Sequence, residues 1–308
     1  MAVRPPVTPP SPGRPEKPPR SKIVVRRLVA AAIVLALLGG AAAIGLATFG
    51  RDDGSPPAPT TVAAPPPPKP LRIVFPEGFT IDQMAGRITA VDGIARKKRH
   101  VRPKLSARRY LKLTSNARFP KGFGAKRGRL EGFMFPATYD FLKGTTTAQL
   151  VQKQLDAFEE NWHELDLGYA RSKNLTNYDV LIIASMVEKE TLAPKERPLV
   201  ASVIYNRLKA RMPLGIDATL RYGLDIPPTE SIHESQLANP TPYNTRLHTG
   251  LPPTPIANPG LASLQAAAHP KHTDYLYYAR KPDEVHHFFT SSGAAFNRYL
   301  CAHGYGCG

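Results

Sequence analysis

A single carboxylate at the end of an apolar helix is the strongest candidate for chemistry in this 308-residue chain. Residues 180–187 read VLIIASMV, which is apolar except for Ser185, and Glu188 follows directly. A segment this apolar on every side belongs inside a protein core. A carboxyl group on its last turn would lie at the edge of that core, where burial raises its pKa and favours the protonated form. These are the properties of a general acid.

Glu188 also has a plainer interpretation, as a helix-end glutamate that forms a salt bridge with Lys189 or Arg197. The sequence pattern by itself leaves both interpretations open, because structural ion pairs and catalytic groups share these surroundings. Glu190 lies two residues farther along the same predicted helix. With 3.6 residues per turn it projects about 200° away from Glu188, so the two carboxylates are not expected to act as a pair.

Mostly helices, with a few short strands, must position this carboxylate. Capping residues and apolar spacing predict helices that begin after Thr80 and extend over 106–114, 147–162, 176–190, 196–212, 261–268 and 293–300. Strands are predicted over 71–75, 275–279 and 285–290. Residues 213–259 are rich in Pro, Gly, Asn and Thr, and so long a loop region inside a compact domain is usually functional. The mixture predicts an α+β fold.

The N-terminal part of the sequence predicts a membrane anchor. Residues 28–50 carry no charge over 23 residues, which is long enough to cross a bilayer. Seven basic residues and one acidic residue precede them, so the positive-inside rule places residues 1–27 in the cytoplasm and the rest outside. A cleaved signal peptide is the alternative, although its charged region would be unusually long. Residues 1–27 are expected to be disordered, and the Pro-rich residues 51–70 to form a stiff linker.

The chain is strongly basic, with 41 Lys and Arg against 24 Asp and Glu, a net charge of +17. Nucleic acid is the usual partner of such a chain. The predicted topology argues against nucleic acid, because outside the cell the available polyanions are peptide carboxylates, wall polymers and lipid phosphates. The densest basic run is RKKRH at 96–100, and a solvated helix or loop face is its simplest interpretation.

The two cysteines, Cys301 and Cys307, both lie in the last eight residues. Outside the cytoplasm they could form a small disulfide loop or remain as thiols. His303 between them does not complete a convincing ligand set for zinc, so we expect no metal site. No motif for an organic cofactor is evident either.

Several motifs follow one another in an order that indicates a family. They are EGFMFPATY (131–139), IIASMVEKET (182–191), ERPLVASVIYNRL (196–208), LGIDATLRYG (214–223), TPYNTRLHTGLPPTPIANPG (241–260) and SLQAAAHP (263–270). Together they resemble the endolytic murein transglycosylase family, also called MltG- or YceG-like, over residues 73–300. Several motifs in the right order are far more specific than any one of them.

This resemblance implies a single-pass membrane enzyme that cleaves the MurNAc–GlcNAc bond of nascent peptidoglycan strands and ends their elongation. The family's catalytic glutamate, taken as the first Glu of the E-K-E-T motif, corresponds to Glu188. It would protonate the glycosidic oxygen and then accept the proton of the MurNAc C6 hydroxyl, which closes a 1,6-anhydro ring without water. Ordinary glycosidases use two carboxylates, and the sequence shows no evident partner for Glu188.

The resemblance also suggests sugar-binding residues, whose side chains offer donors and acceptors on or near residues 213–259. They are Asp217, Asn206, Tyr243, Asn244, Thr249 and Asn258. Turn and cap roles are the alternative for the last two asparagines, and a helix cap is the alternative for Asp217. The sequence departs from the family pattern at Ala137, Gly215 and Ala218, where many members have Asp, Gln and Pro.

The expected organisation places a small α+β, LysM-like remnant at 71–145 and the catalytic domain at 146–308. Expected partners are peptidoglycan strands, the membrane and peptidoglycan synthases. Three other functions are compatible with parts of the sequence: a non-enzymatic wall-binding scaffold, a hydrolytic muramidase, and a cytoplasmic pyridoxal-phosphate lyase. The predicted anchor argues against the last, and no lysine stands out as a Schiff-base former.

Overall fold

Ten α-helices and six short strands follow one another along the described part of the chain, residues 69–124 and 126–305 of a computed structural model. The predicted α+β class is confirmed. The predicted tail (1–27), membrane span (28–50), nearly all of the linker and Cys307 lie outside these residues. Among the helices in the described ranges, none combines the length and apolarity that crossing a bilayer requires.

The helices begin close to where capping residues predict. In chain order they are α1 (Ile81–Arg99), α2 (Ala107–Ser115), α3 (Thr147–His163), α4 (Gly168–Ser172), α5 (Asn177–Glu190), α6 (Arg197–Lys209), α7 (Asp217–Gly223), α8 (Glu234–Leu237), α9 (Leu261–Ala268) and α10 (Gly293–Ala302). Capping boxes at Thr80, Thr146 and Thr176 start α1, α3 and α5. Each such cap stabilises its helix by about 1 kcal/mol.

The strands form three separate antiparallel pairs. They are β1 (Leu71–Val74) with β4 (Thr138–Phe141), β2 (Ala117–Arg118) with β3 (Arg127–Gly128), and β5 (Tyr277–Arg280) with β6 (His287–Thr290). In the last pair Arg280 lies opposite His287. This hairpin contacts α6 and α10. Cys301, near the end of α10, is disulfide-bonded, which is one of the two options that the sequence left open.

Helix α5 lies in the hydrophobic core, and residues 180–187 are all buried, as their composition predicts. They pack mainly against α9. The polar exception, Ser185, donates its hydroxyl to the Ile182 carbonyl at 2.7 Å and accepts the Ile256 N–H at 3.0 Å. Burying each Leu, Ile or Val side chain contributes about 1.5–3 kcal/mol, so α5 is a rigid base for the residues at its C-terminal end.

Residues 213–259, predicted as a long loop, contain α7 and α8 and are held by internal hydrogen bonds. The Thr245 hydroxyl oxygen accepts the Ile216 N–H at 3.0 Å, and the buried Asn244 donates to the carbonyls of Leu237 and Asn239 at 2.8 Å. This region therefore forms a fixed wall beside the C-terminal end of α5. The division of the chain into segments 71–145 and 146–308 stays a prediction.

Candidate active site

A cleft of about 1510 Å³ opens beside the last turn of α5. One wall comes from the start of α1, and another from α7 and the residues that follow it. The hairpin β5–β6 and helix α10 close the remaining side. Several of the polar side chains on these walls are charged, so the cleft suits a polar, extended ligand better than an apolar one.

Glu190, the last residue of α5, lines this cleft. One of its carboxylate oxygens accepts the hydroxyl of Tyr278 at 2.9 Å. Burial raises the pKa of Glu190, and the Tyr278 hydrogen bond opposes this shift without cancelling it. The nearby charge of Asp217 raises the pKa further, whereas Arg280 acts in the other direction. Glu190 thus has the combination of burial and cleft access that a proton donor needs.

A histidine that is held by a second glutamate packs against the ring of Tyr278. His287 lies edge-on to the Tyr278 ring, with the ring centroids 5.4 Å apart. Its Nδ1 is 2.7 Å from Oε2 of Glu196, and its backbone N–H donates to both Glu196 oxygens at 3.1 Å. The Glu196 carboxylate thereby fixes the orientation of the imidazole, which in turn limits where the Tyr278 ring can move.

Glu188 is placed differently, and it does not line the cleft. Its side chain is 7% exposed, Oε2 accepts the Gly260 N–H at 3.0 Å, and Oε1 lies 3.8 Å from the Arg197 guanidinium. The salt bridge with Arg197 that the plainer interpretation predicts is therefore present. A catalytic role for Glu188 stays a prediction.

A second carboxylate lies close to Glu188, which corrects the expectation that it has no such neighbour. A β-carbon built on Gly260, whose N–H binds Glu188, would come within 1.9 Å of Oε1 of Glu77. Burial raises the pKa of Glu77, the charge of Glu188 raises it further, and Arg197 lowers it. No local pattern in the sequence indicates this pair, because Glu77 lies in a turn more than one hundred residues before Glu188.

Asp217 is the one predicted sugar-binding residue that lines the cleft. It is the first residue of α7 and makes no capping hydrogen bond with its side chain. Instead it accepts two hydrogen bonds from the Arg246 guanidinium, at 3.0 Å from Nε and 2.5 Å from Nη2. About half of the Asp217 side chain is exposed, so the pair remains accessible to a ligand.

The other predicted sugar-binding residues are engaged within the protein. Asn206 donates to the carbonyls of Thr273 and Tyr275, and Asn244 and Asn258 are fully buried. The amide oxygen of Asn258 accepts N–H groups of the 131–139 motif, so this side chain joins two distant segments of the chain rather than capping a local turn. The Tyr243 hydroxyl shares a hydrogen bond of 2.8 Å with Thr254, and Thr249 is exposed outside the cleft.

Sequence reasoning missed the residues of the β5–β6 hairpin that face the cleft, Tyr278, Arg280 and His287. The strands themselves were predicted from their aromatic content. The signal that could have found these residues is alternation, because Tyr278 and Arg280 are two positions apart and therefore share one strand face. The sequence also missed Glu190 as a candidate, because it treated the two glutamates only as a pair.

Within the described residues, no cluster of three or more His, Cys, Asp or Glu side chains is arranged to hold a metal ion. The reactive groups among the described residues of the cleft are carboxylates, a tyrosine hydroxyl, a histidine and guanidinium groups. Such a set can donate and accept protons and bind polar or anionic ligands.

Comparisons with known proteins show the family. Residues 60–301 match the YceG-like family. The endolytic murein transglycosylase of Bacillus subtilis 168 is 38% identical over 152 residues, 49% of this chain and 42% of that protein. The protein of the same name from Streptococcus pneumoniae R6 is 31% identical over 254 residues, 75% and 44% of the two chains. The chain thus spans less than half the length of these relatives.

A solved crystal structure of a yceG-like protein from Listeria monocytogenes has a similar fold. It aligns with a TM-score of 0.56 and 30% sequence identity, covering 74% of this chain and 75% of that one.

Proposed function

The chain belongs to the YceG-like family, and we propose that it is a lytic transglycosylase that cuts peptidoglycan strands internally. Its relatives in B. subtilis and S. pneumoniae carry the name endolytic murein transglycosylase. The structural observation that carries the proposal is Glu190, a carboxyl group with a raised pKa that faces a large cleft lined in part by charged side chains. The proposed consequence for the cell is the termination of strand elongation.

Glu190 rather than Glu188 is the acid in this proposal. The resemblance suggested Glu188, the first glutamate of the E-K-E-T motif. The cleft geometry favours the second, because Glu190 lines the cleft whereas Glu188 is turned towards Gly260 and Arg197. Glu188 then has a positioning role, since it ties the end of α5 to the residue that precedes α9.

The reaction needs one group that first donates and then accepts a proton. Glu190 protonates the glycosidic oxygen as the bond from this oxygen to C1 of MurNAc breaks. The MurNAc C6 hydroxyl attacks C1, and its proton passes to the Glu190 carboxylate. A 1,6-anhydro ring forms, no water is consumed, and Glu190 returns to its protonated state. The Tyr278 hydroxyl holds the carboxylate in place during the interval in which it is ionised.

Hydrolysis by a muramidase is the second candidate, and Asp217 is the observation that favours it. This carboxylate lines the same cleft as Glu190, and an ordinary glycosidase uses such a pair. Its two hydrogen bonds with Arg246, both accepted by Oδ1, favour a binding role instead, because they tie the carboxylate to the wall of the cleft.

The test compares Glu190→Gln with Glu188→Gln in the full chain acting on nascent glycan strands. We expect Glu190→Gln to lower the cleavage rate about 100- to 10,000-fold, the usual contribution of a general acid. Glu188→Gln should retain most of the cleavage activity, because Glu188 does not line the cleft. If only Glu188→Gln loses activity, the general acid is Glu188 and not Glu190. Mass spectrometry identifies the products: anhydro ends support the transglycosylase, reducing ends a muramidase, and binding without cleavage a scaffold.

Residues 28–50 are the proposed single-pass anchor, with residues 69–305 on the outer side of the membrane and peptidoglycan synthases as neighbours. The support is the uncharged stretch and the basic flank before it. The full chain should stay with membranes after extraction with alkaline carbonate, and deletion of residues 1–50 should release it. Release of the full chain would contradict the anchor.

A further inference from the structure

The charges of the cleft are unevenly satisfied. Six Lys and Arg side chains line it, against four carboxylates. Arg129 and Arg246 form salt bridges with aspartates of the cleft. Arg207, Arg221 and Lys189 donate to backbone carbonyl oxygens. These five cations therefore have partners within the protein. The sixth does not share this arrangement.

That sixth cation is Arg280, the last residue of β5, whose side chain is exposed. Within the part of the chain that the structure describes, it has no hydrogen bond or salt bridge through its guanidinium. Strand alternation places Arg280 and Tyr278 on the same face, about 7 Å apart along the strand. Tyr278 donates to Glu190 from this face, and His287, opposite Arg280 in the register, also lines the cleft.

The guanidinium is close enough to act on the proposed acid. The charge of Arg280 lowers the pKa of Glu190, against the larger effect of burial. An arginine with no acceptor in the protein, next to the reacting group, is available to a ligand. Its planar fork of donors matches a carboxylate, which it can bind through two parallel hydrogen bonds.

We propose that Arg280 binds a carboxylate of the substrate strand and makes the cleft selective for strands that carry one near the scissile bond. This inference rests on the proposed function and names a feature of its substrate. Peptidoglycan strands offer carboxylates on their stem peptides and, where the peptide has been removed, on the lactyl group of MurNAc. Both are the same chemistry, and substrates can be prepared that separate them.

The test measures KM and kcat of the full chain on three substrates made from one strand preparation. The first is unmodified, the second has its carboxylates converted to methylamides, and the third has lost its peptides through an amidase. We expect a KM for unmodified strands about tenfold lower than for methylamidated strands, the effect of one charge-assisted pair. Arg280→Gln should raise the KM for unmodified strands to the methylamidated value, and Arg280→Lys should recover part of the difference.

The comparison between substrates removes a complication. Arg280→Gln also changes the pKa of Glu190, but this affects all three substrates alike, so the ratio of KM values isolates binding. Lys281→Gln is the matched control, because Lys281 is exposed, directly follows Arg280 and does not line the cleft. It should keep the preference of the unmodified protein.

The outcomes are distinct. A KM for amidase-treated strands as low as that for unmodified strands shows that the lactyl carboxylate exposed by the amidase is also bound, and a KM as high as that for methylamidated strands assigns the contact to the stem peptide. An unmodified protein that cleaves charged and methylamidated strands with equal KM would overturn the inference while leaving the proposed function intact. So would an Arg280→Gln variant that keeps the preference. A protein that cleaves no strand would remove the proposed function and this inference together.

Discussion

Glu190, the acid of the proposed reaction, is held in one orientation by its hydrogen bond with Tyr278. Glu190 is the last residue of α5, and at a helix end its side chain could adopt several rotamers. The Tyr278 hydroxyl, 2.9 Å away, selects one of them. Burial raises the pKa of Tyr278 well above its ordinary value, so its hydroxyl stays protonated and remains a donor at every pH of interest.

Tyr278→Phe tests this dependence through the pH profile. The hydrogen bond lowers the pKa of Glu190, so its loss should raise that pKa further. In the proposed reaction the free enzyme needs protonated Glu190, so activity is expected to fall as pH rises through that pKa. We therefore expect the high-pH limb of kcat/KM to move to higher pH. The kcat value should fall about tenfold, because the ionised state loses a hydrogen bond.

Tyr275→Phe is the control for this substitution. Tyr275 precedes the same strand and stacks on Phe289, with no hydrogen bond from its hydroxyl among the described contacts. Its variant should keep the profile of the unmodified protein. An unshifted profile in Tyr278→Phe would show that the Tyr278 hydroxyl does not act on Glu190 in solution.

The sequence points to the end of α5 but does not decide between its two glutamates. An apolar run shows that both follow a buried segment, and 3.6-residue geometry shows that they point in different directions. Which direction opens to the cleft depends on Gly260, Arg197 and the β5–β6 hairpin. These come from later parts of the chain, and no local pattern records where they pack.

At the scale of elements, the cleft is held by close contacts between α5 and the segments around it. Gly132 shows how close they are. Its N–H donates to Asn258, and its φ of +90° is a conformation that side chains with a β-carbon rarely adopt. A β-carbon there would lie 2.7 Å from Cγ of Pro255 and 3.1 Å from Cδ2 of Leu181. The 131–139 motif therefore packs directly on α5 and on the segment before α9.

Gly132→Ala should destabilise the protein by about 2–4 kcal/mol, because an unfavourable backbone conformation and an overpacked contact add together. Denaturant unfolding followed by circular dichroism measures this change. Gly144→Ala is the matched control, since a β-carbon at Gly144 meets no atom within 4 Å and its φ is not positive. Equal stability of the two variants would mean that the contact relaxes at no cost.

Helices were more predictable than strands for a physical reason. The capping threonines and the apolar stripes of α1, α3 and α5 are local signals, and these helices lie where the sequence predicts. Strand β4, by contrast, was not predicted. It exists because residues 138–141 pair with β1, more than sixty residues earlier in the chain. Short helices such as α8 depend in the same way on contacts of the surrounding loop.

At the scale of the whole molecule, one buried carboxylate joins several separate segments. Glu131 is 1% exposed and accepts the N–H of Ile81 at the start of α1. It also accepts the amide of Asn258 at 2.8 Å and the hydroxyl of Tyr222 in α7 at 3.1 Å. The start of α1, the segment before α9 and one wall of the cleft thus share a single acceptor group. Ionisation of Glu131 should therefore change the free energy of unfolding of the whole described domain.

The pH dependence of unfolding tests this role. Burial raises the pKa of Glu131 from 4.5 to about 7, with Arg129 and the hydrogen bonds only partly opposing it. A carboxyl with a raised native pKa binds its proton more tightly in the folded state. Its contribution is therefore complete below pH 4.5 and is lost as pH rises through about 7. The loss should amount to about 3 kcal/mol.

Glu131→Gln keeps a neutral side chain at every pH, so its free energy of unfolding should change less between pH 4.5 and 7.5 than that of the unmodified protein. At low pH the variant should be less stable, because an NH₂ group, which only donates, replaces one of the two oxygens that accept hydrogen bonds. Glu160→Gln, at an exposed position of α3, should leave the pH dependence of the free energy of unfolding as it is in the unmodified protein. Urea unfolding at a series of pH values measures all three slopes. Parallel slopes for the unmodified protein and Glu131→Gln would show that Glu131 does not change its protonation on folding, and the three segments would then be joined by packing alone.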